Sequence, residues 1–385
     1  MKALILGGDG YLGWPTAMRF ASNGYDVSVV DNYLRRDIAS ETDSSALVET
    51  PRLPDRVEIF ATHGNSRIRV FEGSCCDWEF IAGVFDDVKP DCVIHFAEQP
   101  SAPYSMRGLD EARLTLKNNI DSTFNLIWCV IRFQPECHII KLGTMGEYGT
   151  PNIDIEEGWI DIDHKGRQDR FLFPRQASSL YHTSKILDTD LLWFYARLYG
   201  IRVTDLMQGP VYGISTPEAD LDERLMPNFH YDDIFGTVVN RFIVQAVAGI
   251  PLTVYGAGNQ VRGYLNILDT LQCLELAAAS PPGQGELRIF NQFTETFSVN
   301  ELATHIADVA TGMGLAVEIA HLENPRQESE GHYYNPAHSG LRELGLQPHP
   351  LTDDVIKHFL GWVGENKGNI REERIMPRVT WRNAR

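Results

Sequence analysis

Six cysteines in 385 residues, with no CxxC pair and no zinc-ligand rhythm, point away from both a disulfide framework and a cysteine metal site. Cys75, Cys76, Cys92, Cys129, Cys137 and Cys273 read as reduced, mostly buried small hydrophobes. Basic residues are scarce as well: 34 Lys and Arg against 52 Asp and Glu leave a formal net charge of -18 at pH 7. Nucleic-acid binding needs clustered cations to release counterions, so no nucleic-acid partner is expected, although a local basic pocket for a diphosphate remains compatible. No apolar stretch reaches membrane-spanning length. The first apolar run, residues 3–6, lacks the length of a signal peptide and leads straight into glycines. The expectation is a cytoplasmic protein with no membrane partner. Internal repeats and low-complexity tracts are missing too, which sets aside solenoids and disordered linkers.

What is present is a rhythm. Short β-branched runs at 3–6, 27–30, 67–71, 92–96, 138–142 and 202–205 alternate with helical stretches, which predicts an α/β fold with a Rossmann-type doubly wound parallel sheet. From about residue 213 the pattern loosens into loops rich in Pro, Asp and Asn, then returns to helices at 236–248 and 299–310. Residues 1–212, with roughly 236–270, are assigned to a dinucleotide-binding domain. Residues 213–235 and 271–385 are assigned to a smaller mixed α/β substrate-binding domain. The polar, proline-bearing segment 36–65 reads either as a long ordered insertion or as a mobile loop.

Directly after the first run comes Gly7-Gly8-Asp9-Gly10-Tyr11-Leu12-Gly13, glycines at GxxGxxG spacing ahead of an amphipathic helix that starts near Trp14. Such glycines let the backbone turn tightly and approach a pyrophosphate at a helix N-terminus. Asp31 ends the second run, where a carboxylate accepts hydrogen bonds from the adenosine ribose and repels a 2′-phosphate, so the expected cofactor is NAD. Arg35 and Arg36 complicate this, since guanidinium groups suit a 2′-phosphate, adenine stacking or plain solvation. Gly7, Gly10, Tyr11, Leu12, Gly13, Asp31, Asn32, Arg35, Arg36, Cys75 and Asn119, together with Tyr181 and Lys185, form the candidate cofactor set. No metal ligands are expected.

Tyr181 and Lys185 stand four residues apart in Tyr181-His182-Thr183-Ser184-Lys185, on one face of a helix. A tyrosine with the usual pKa near 10 is a poor base at neutral pH, and a nearby ammonium stabilises its phenolate. Thr144 follows the run 138–142, at the carboxyl edge of the expected sheet, and its hydroxyl completes a Thr-Tyr-Lys set.

These residues resemble the extended short-chain dehydrogenases that modify nucleotide sugars. The strings His95-Phe96-Ala97-Glu98-Gln99, Ser101-Ala102-Pro103-Tyr104-Ser105-Met106, the stretch 141–158, Gln176-Ala177-Ser178-Ser179 and His332-Tyr333-Tyr334-Asn335 are similar to the UDP-sulfoquinovose synthase family over nearly the whole chain. That resemblance implies UDP-glucose as substrate, oxidation at C4 with NAD, loss of water across C5 and C6, addition of sulfur at C6, and return of the hydride. It also implies a homodimer built from amphipathic helices at about 118–133 and 181–199. Related 4,6-dehydratases carry an Asp-Glu pair after the threonine, where Met145-Gly146 stand here. The acid-base group for elimination is therefore either His182 or Glu147. Gln99, Thr144, Gln208, Gln260, Arg262 and Arg326 are the candidate substrate contacts, with the two arginines suited to diphosphate or ribose.

The sequence departs from that family where its string HFGEQRSAPYSM carries an arginine and this chain has Pro100. Proline offers neither charge nor N–H to an anion. Smaller departures are Ser74 for aspartate, Met207 for asparagine and Asn266 for aspartate. A 5,6-dehydratase of a sugar nucleotide or nucleoside without sulfur addition thus stands beside the synthase-like reading. A 4-epimerase needs only the Thr-Tyr-Lys set, and an NAD-binding sensor is the non-enzymatic alternative.

Overall fold

The protein is described by a computed structural model covering residues 1–44, 46–64, 68–325 and 333–379. The β-branched runs become β1 (Lys2–Leu6), β2 (Asp26–Asp31), β3 (Arg69–Glu72), β4 (Cys92–His95), β5 (His138–Thr144), β6 (Arg202–Gln208) and β7 (Leu287–Gln292). They form one sheet in the order β7-β6-β5-β4-β1-β2-β3, with every neighbouring pair parallel. The strand order reverses between β1 and β4, and ligands of such sheets bind at that reversal, outside the carboxyl ends of the strands.

Side chains that alternate along a strand serve opposite faces. Ala3 and Ile5 join the core formed with Trp14 and Phe20 of helix α1 (Gly13–Ser22). Leu4 and Leu6 join the other core, with Phe85 of α2 (Trp78–Val88) and Leu126 and Val130 of α3 (Leu109–Phe133). On that same side lies α4 (Leu180–Tyr199). Its first turn is capped by Ser179, whose hydroxyl accepts from the His182 N–H, and it ends at Gly200 in the left-handed region at φ +75°.

Of the two readings of segment 36–65, its described residues show the ordered insertion, with helices Leu34–Glu41 and Leu53–Thr62; the loop between them is anchored where the Leu47 N–H donates to the Phe229 carbonyl at 2.9 Å. Two features differ from the sequence expectation. The third strand starts at Arg69 rather than at residue 67, which lies outside the described residues. The lobe boundary is interleaved: β7 comes from the segment assigned to the substrate domain yet pairs with β6, while helix Val238–Ala248 packs on helices Val299–Gly312 and Asp353–Glu365 of the smaller lobe. A long-range parallel pairing consumes β7, and short-range pattern carries no trace of its partner. An antiparallel hairpin, Trp159–His164 with Arg167–Leu172, stands out from the sheet.

Among the described residues no helix is long and apolar enough to cross a membrane, and no group of three or more His, Cys, Asp or Glu side chains could hold a metal ion.

Trp14 locks the glycine turn to the segment 213–237. Its indole N–H donates to the Leu225 carbonyl at 2.9 Å, and its ring packs against Phe60 and beneath the Arg56 guanidinium. Trp14→Ala removes a fully buried ring and strands that carbonyl, so unfolding in urea is expected to show a loss of about 3–5 kcal/mol.

Candidate functional site

A cavity of about 520 Å³ runs along the carboxyl ends of the strands. At one end lies the glycine turn. Gly7 adopts φ +88°, and a Cβ there would press on the Phe96 and Ala97 backbone at 2.8–2.9 Å; one at Gly13 would collide with the Gly7 carbonyl oxygen. These two positions require glycine, and the close approach they permit is what a pyrophosphate needs. Gly10, Leu12, Asn32 and Cys75 line the same end, and so does Tyr11, whose hydroxyl donates to the Gly213 carbonyl.

Asp31 accepts the N–H groups of Asp9 and Tyr33, each at 2.7 Å. Burial first, then the neighbouring Asp9, push its carboxyl up to about 6, so it is still mostly ionised at neutral pH. A carboxylate has about four lone-pair sites; two remain for ribose hydroxyls. The two arginines have separate fates. Arg35 lines the cavity with its guanidinium over the Phe235 ring and its buried Nε without a hydrogen bond. Arg36 is committed elsewhere, paired with Asp9 at 2.6 Å and bonded to the carbonyls of Thr50 and Pro51. It holds the insertion to the glycine turn and does not line the cavity.

The catalytic end gathers Thr144, Tyr181 and His182 on the cavity wall. Thr144 closes β5, and its hydroxyl accepts the Gly146 N–H at 3.1 Å. Burial first, then the Glu98 and Glu147 carboxylates, raise the Tyr181 hydroxyl above its usual value of 10.0. Lys185 lies just behind, its ammonium 2.6 Å from Glu98 Oε1. Burial works against that ammonium, but the facing carboxylates outweigh it and its pKa is raised. The His182 ring stands beside Tyr181, with centroids 5.3 Å apart, and its Nδ1 is 3.4 Å from the Ser178 hydroxyl. A Cβ at position 146 would collide with His182 Nε2. Gly146 therefore makes the room that the imidazole occupies.

Glu147 does not face the cavity. It is fully buried, where it accepts the Thr144 N–H at 3.2 Å and pairs with Lys141 at 3.4 Å, and burial raises its pKa despite that lysine. Between the two candidates for acid-base work, only His182 reaches the cavity. Asn119 and Gln99 are also set back. Asn119 clamps the Gln99 backbone and the Ser184 hydroxyl, and the Gln99 amide is used on Ser101 and Thr115. The neighbouring Asn118 lines the cavity instead. Gln208 and Arg262 line it, whereas Gln260 donates to the Tyr255 carbonyl and does not. Arg326 lies outside the described residues.

Several cavity residues were not picked out from the sequence: Glu98, Asn118, Ser178, Phe235 and Tyr334. Glu98 stood within a motif whose glutamine drew attention instead. Pro100 sits on the exposed rim of the cavity wall. Of the smaller departures, Asn266 caps helix Ile267–Ala279 by accepting the Leu268 N–H at 3.0 Å, and Met207 is fully buried beside Gly143.

A glycine turn, an acidic residue ending β2 and a Thr-Tyr-Lys set at one sheet edge define a class, and sequence comparison agrees. The pattern of the NAD dependent epimerase/dehydratase family matches residues 3–291, and the chain belongs to that family of enzymes. Within it, the chain is 47% identical to the chloroplastic UDP-sulfoquinovose synthase of Spinacia oleracea, over 99% of this chain and 79% of that protein. It is 42% identical to the UDP-sulfoquinovose synthase of Sulfolobus acidocaldarius, over 99% and 98% respectively. The fold is shared with the UDP-glucose 4-epimerase of Thermotoga maritima solved with UDP-glucose, at a TM-score of 0.70 and 22% identity, covering 95% of this chain and 99% of that one.

Beneath the site, the Lys141 ammonium, fully buried, is bonded to Asp205 at 3.2 Å, to the Thr189 hydroxyl at 2.7 Å and to the Lys185 carbonyl at 3.1 Å. Lys141→Met leaves Asp205 buried without its cation, and Glu147 with only the Arg175 guanidinium, 3.8 Å away. It is expected to cost about 3–5 kcal/mol of unfolding free energy in a denaturant titration, and no loss would mean the two acids are neutral in the folded protein.

Proposed function

We propose that this enzyme oxidises UDP-glucose or a close relative at C4, eliminates water across C5 and C6, and returns the hydride to C4. The relatives at 47% and 42% identity carry the substrate class in their names. The observation that carries the elimination step is the placement of His182 on the cavity wall, in the space that Gly146 leaves open.

NAD fits the residues present: the glycine turn leaves no room for a Cβ where a pyrophosphate would approach, Asp31 keeps two lone-pair sites, and the buried Arg35 Nε faces the same end without a partner. When bound, its nicotinamide supplies the hydride acceptor and donor. The chain's own groups do the rest. Tyr181 takes the C4 hydroxyl proton and later gives it back, with Thr144 holding the C4 oxygen and Lys185 supplying positive charge. A ketone at C4 acidifies the C5 proton, since the resulting carbanion is delocalised onto it. His182 takes that proton and passes it to the departing C6 hydroxyl, so water leaves and no net proton is consumed.

Sulfur addition is the finer question. Pro100 gives the rim no charge and no N–H where the family carries arginine, and among the described residues the Lys and Arg side chains on the cavity wall are Arg35 and Arg262. That observation favours a second reading in which the reaction stops at the 5,6-unsaturated sugar. Incubation with NAD and UDP-glucose, with and without sulfite, separates the two by product mass: loss of water alone supports the dehydratase, a sulfonated product the synthase. His182→Ala is expected to keep C4 oxidation while reducing water loss at least 100-fold. Absence of any product with the intact enzyme would overturn the substrate assignment.

A homodimer and a reducing compartment such as the cytoplasm are parts of the same proposal. Phe124 on α3 and Leu187, Phe194 and Leu198 on α4 leave large apolar side chains in solvent on adjacent helices, a pattern suited to an intersubunit helix bundle. All six cysteines are free thiols. Light scattering is expected to give twice the 43.4 kDa chain mass, and Phe194→Asp with Leu198→Asp should return the monomer.

A further inference from the structure

Glu98 follows β4 and reaches under the catalytic tyrosine. Its Oε1 is 2.6 Å from Lys185 Nζ and 3.6 Å from His95 Nε2, with both the Glu98 and Lys185 side chains 4% exposed. Its Oε2 is buried and makes no hydrogen bond. We propose that Glu98 is a positioning residue that holds Lys185 and sets the charge balance around Tyr181, so that the hydroxyl taking the C4 proton can also give it back. This rests on the redox-neutral reaction proposed above.

The surrounding charges leave Glu98 little other compensation. Burial, outweighing the adjacent Glu98, pushes His95 down to about 4, so that ring is neutral at physiological pH. Tyr181 is faced by Glu98 from the loop after β4, by Lys141 from β5, by Glu147 from the turn after β5, and by His182, Lys185 and Asp188 from its own helix. From the short helix Ala102–Ser105, the Ser105 hydroxyl accepts the Tyr181 N–H. Asp188 is buried and its pKa is raised by that burial and by Glu98, so it contributes little charge. Lys141 is shared between Glu147 and Asp205. Lys141 is the cation that acts most on the tyrosine but is divided between those two acids, and Lys185, one turn along the tyrosine's own helix, is the cation that Glu98 pairs with directly.

That offset has a chemical use. A lone lysine beside Tyr181 would favour the phenolate, which serves oxidation but leaves no proton to return to C4. A simple dehydrogenase needs the base alone; an enzyme that restores its cofactor in each turnover needs the same hydroxyl as base and as acid. Offsetting the ammonium with a carboxylate keeps both protonation states within reach.

Glu98→Gln keeps the shape and removes the charge; Glu98→Asp keeps the charge. With NAD and UDP-glucose, Glu98→Gln is expected to move the acidic limb of the kcat/KM profile downward by about one pH unit. It should also raise, several-fold, the steady-state fraction of reduced nicotinamide seen by absorbance, because the return step is starved of protons. Glu98→Asp should leave the limb in place. A uniform loss of rate at every pH, with the reduced fraction unchanged, would overturn the proposal. Carbon-13 tyrosine NMR of the full chain, with Tyr181→Phe to assign the signal, reads the same effect without turnover. An earlier onset of Tyr181 ionisation in Glu98→Gln supports the proposal even if UDP-glucose is not the substrate, and an unaltered onset refutes it.

Discussion

One buried cation fixes the catalytic geometry. The Lys141 ammonium, on β5, ties the turn after β5 through Glu147, β6 through Asp205, and α4 through the Lys185 carbonyl and the Thr189 hydroxyl. Thr144 is bound to the same knot, since its N–H donates to Glu147, and Tyr181 rides on the helix whose backbone the knot grips. The distance between threonine and tyrosine is therefore set from below, by charges that water cannot reach. Buried ion clusters are seldom a net source of stability. Here the return is placement: three elements distant in sequence are held in one register at the edge of the sheet.

The same logic separates the carboxylates of the site. Glu147 is sealed in the interior and serves structure, whereas Glu98 meets the cavity and serves charge. The sequence points to Glu147 as an acid-base candidate and offers no sign of Glu98. Depth decides between them, and depth depends on which strand neighbours which. Gly146 makes the complementary point, since its importance comes from the absence of a side chain that would fill the place of His182.

The parallel sheet, the glycine turn, Asp31 and the Tyr181–Lys185 spacing were legible because each depends on local sequence: β-branched alternation, positive-φ turns and helical i, i+4 geometry. What escaped was set by partners far along the chain. β7 was hidden in a segment assigned to the other lobe because nothing local says which strand it will join. Asn119 and Gln99, the contacts expected from the sequence, are set back, while Asn118 and Glu98, one residue away in each case, face the cavity. On a helix one residue is a turn of about 100°, and in the loop after β4 no periodicity guides the choice at all. Arg36 was drawn into the cofactor set by its charge, and its commitment to Asp9 required the insertion to fold back over the glycine turn.

Pro100 belongs to a different category, because its meaning is chemical. It leaves the fold untouched, being exposed on the rim, while the groups that would run oxidation and elimination lie deeper, on buried elements. A rim position can lose its charge without disturbing Tyr181, His182 or the Lys141 knot, so the early steps and the sulfur step are physically separable in this architecture.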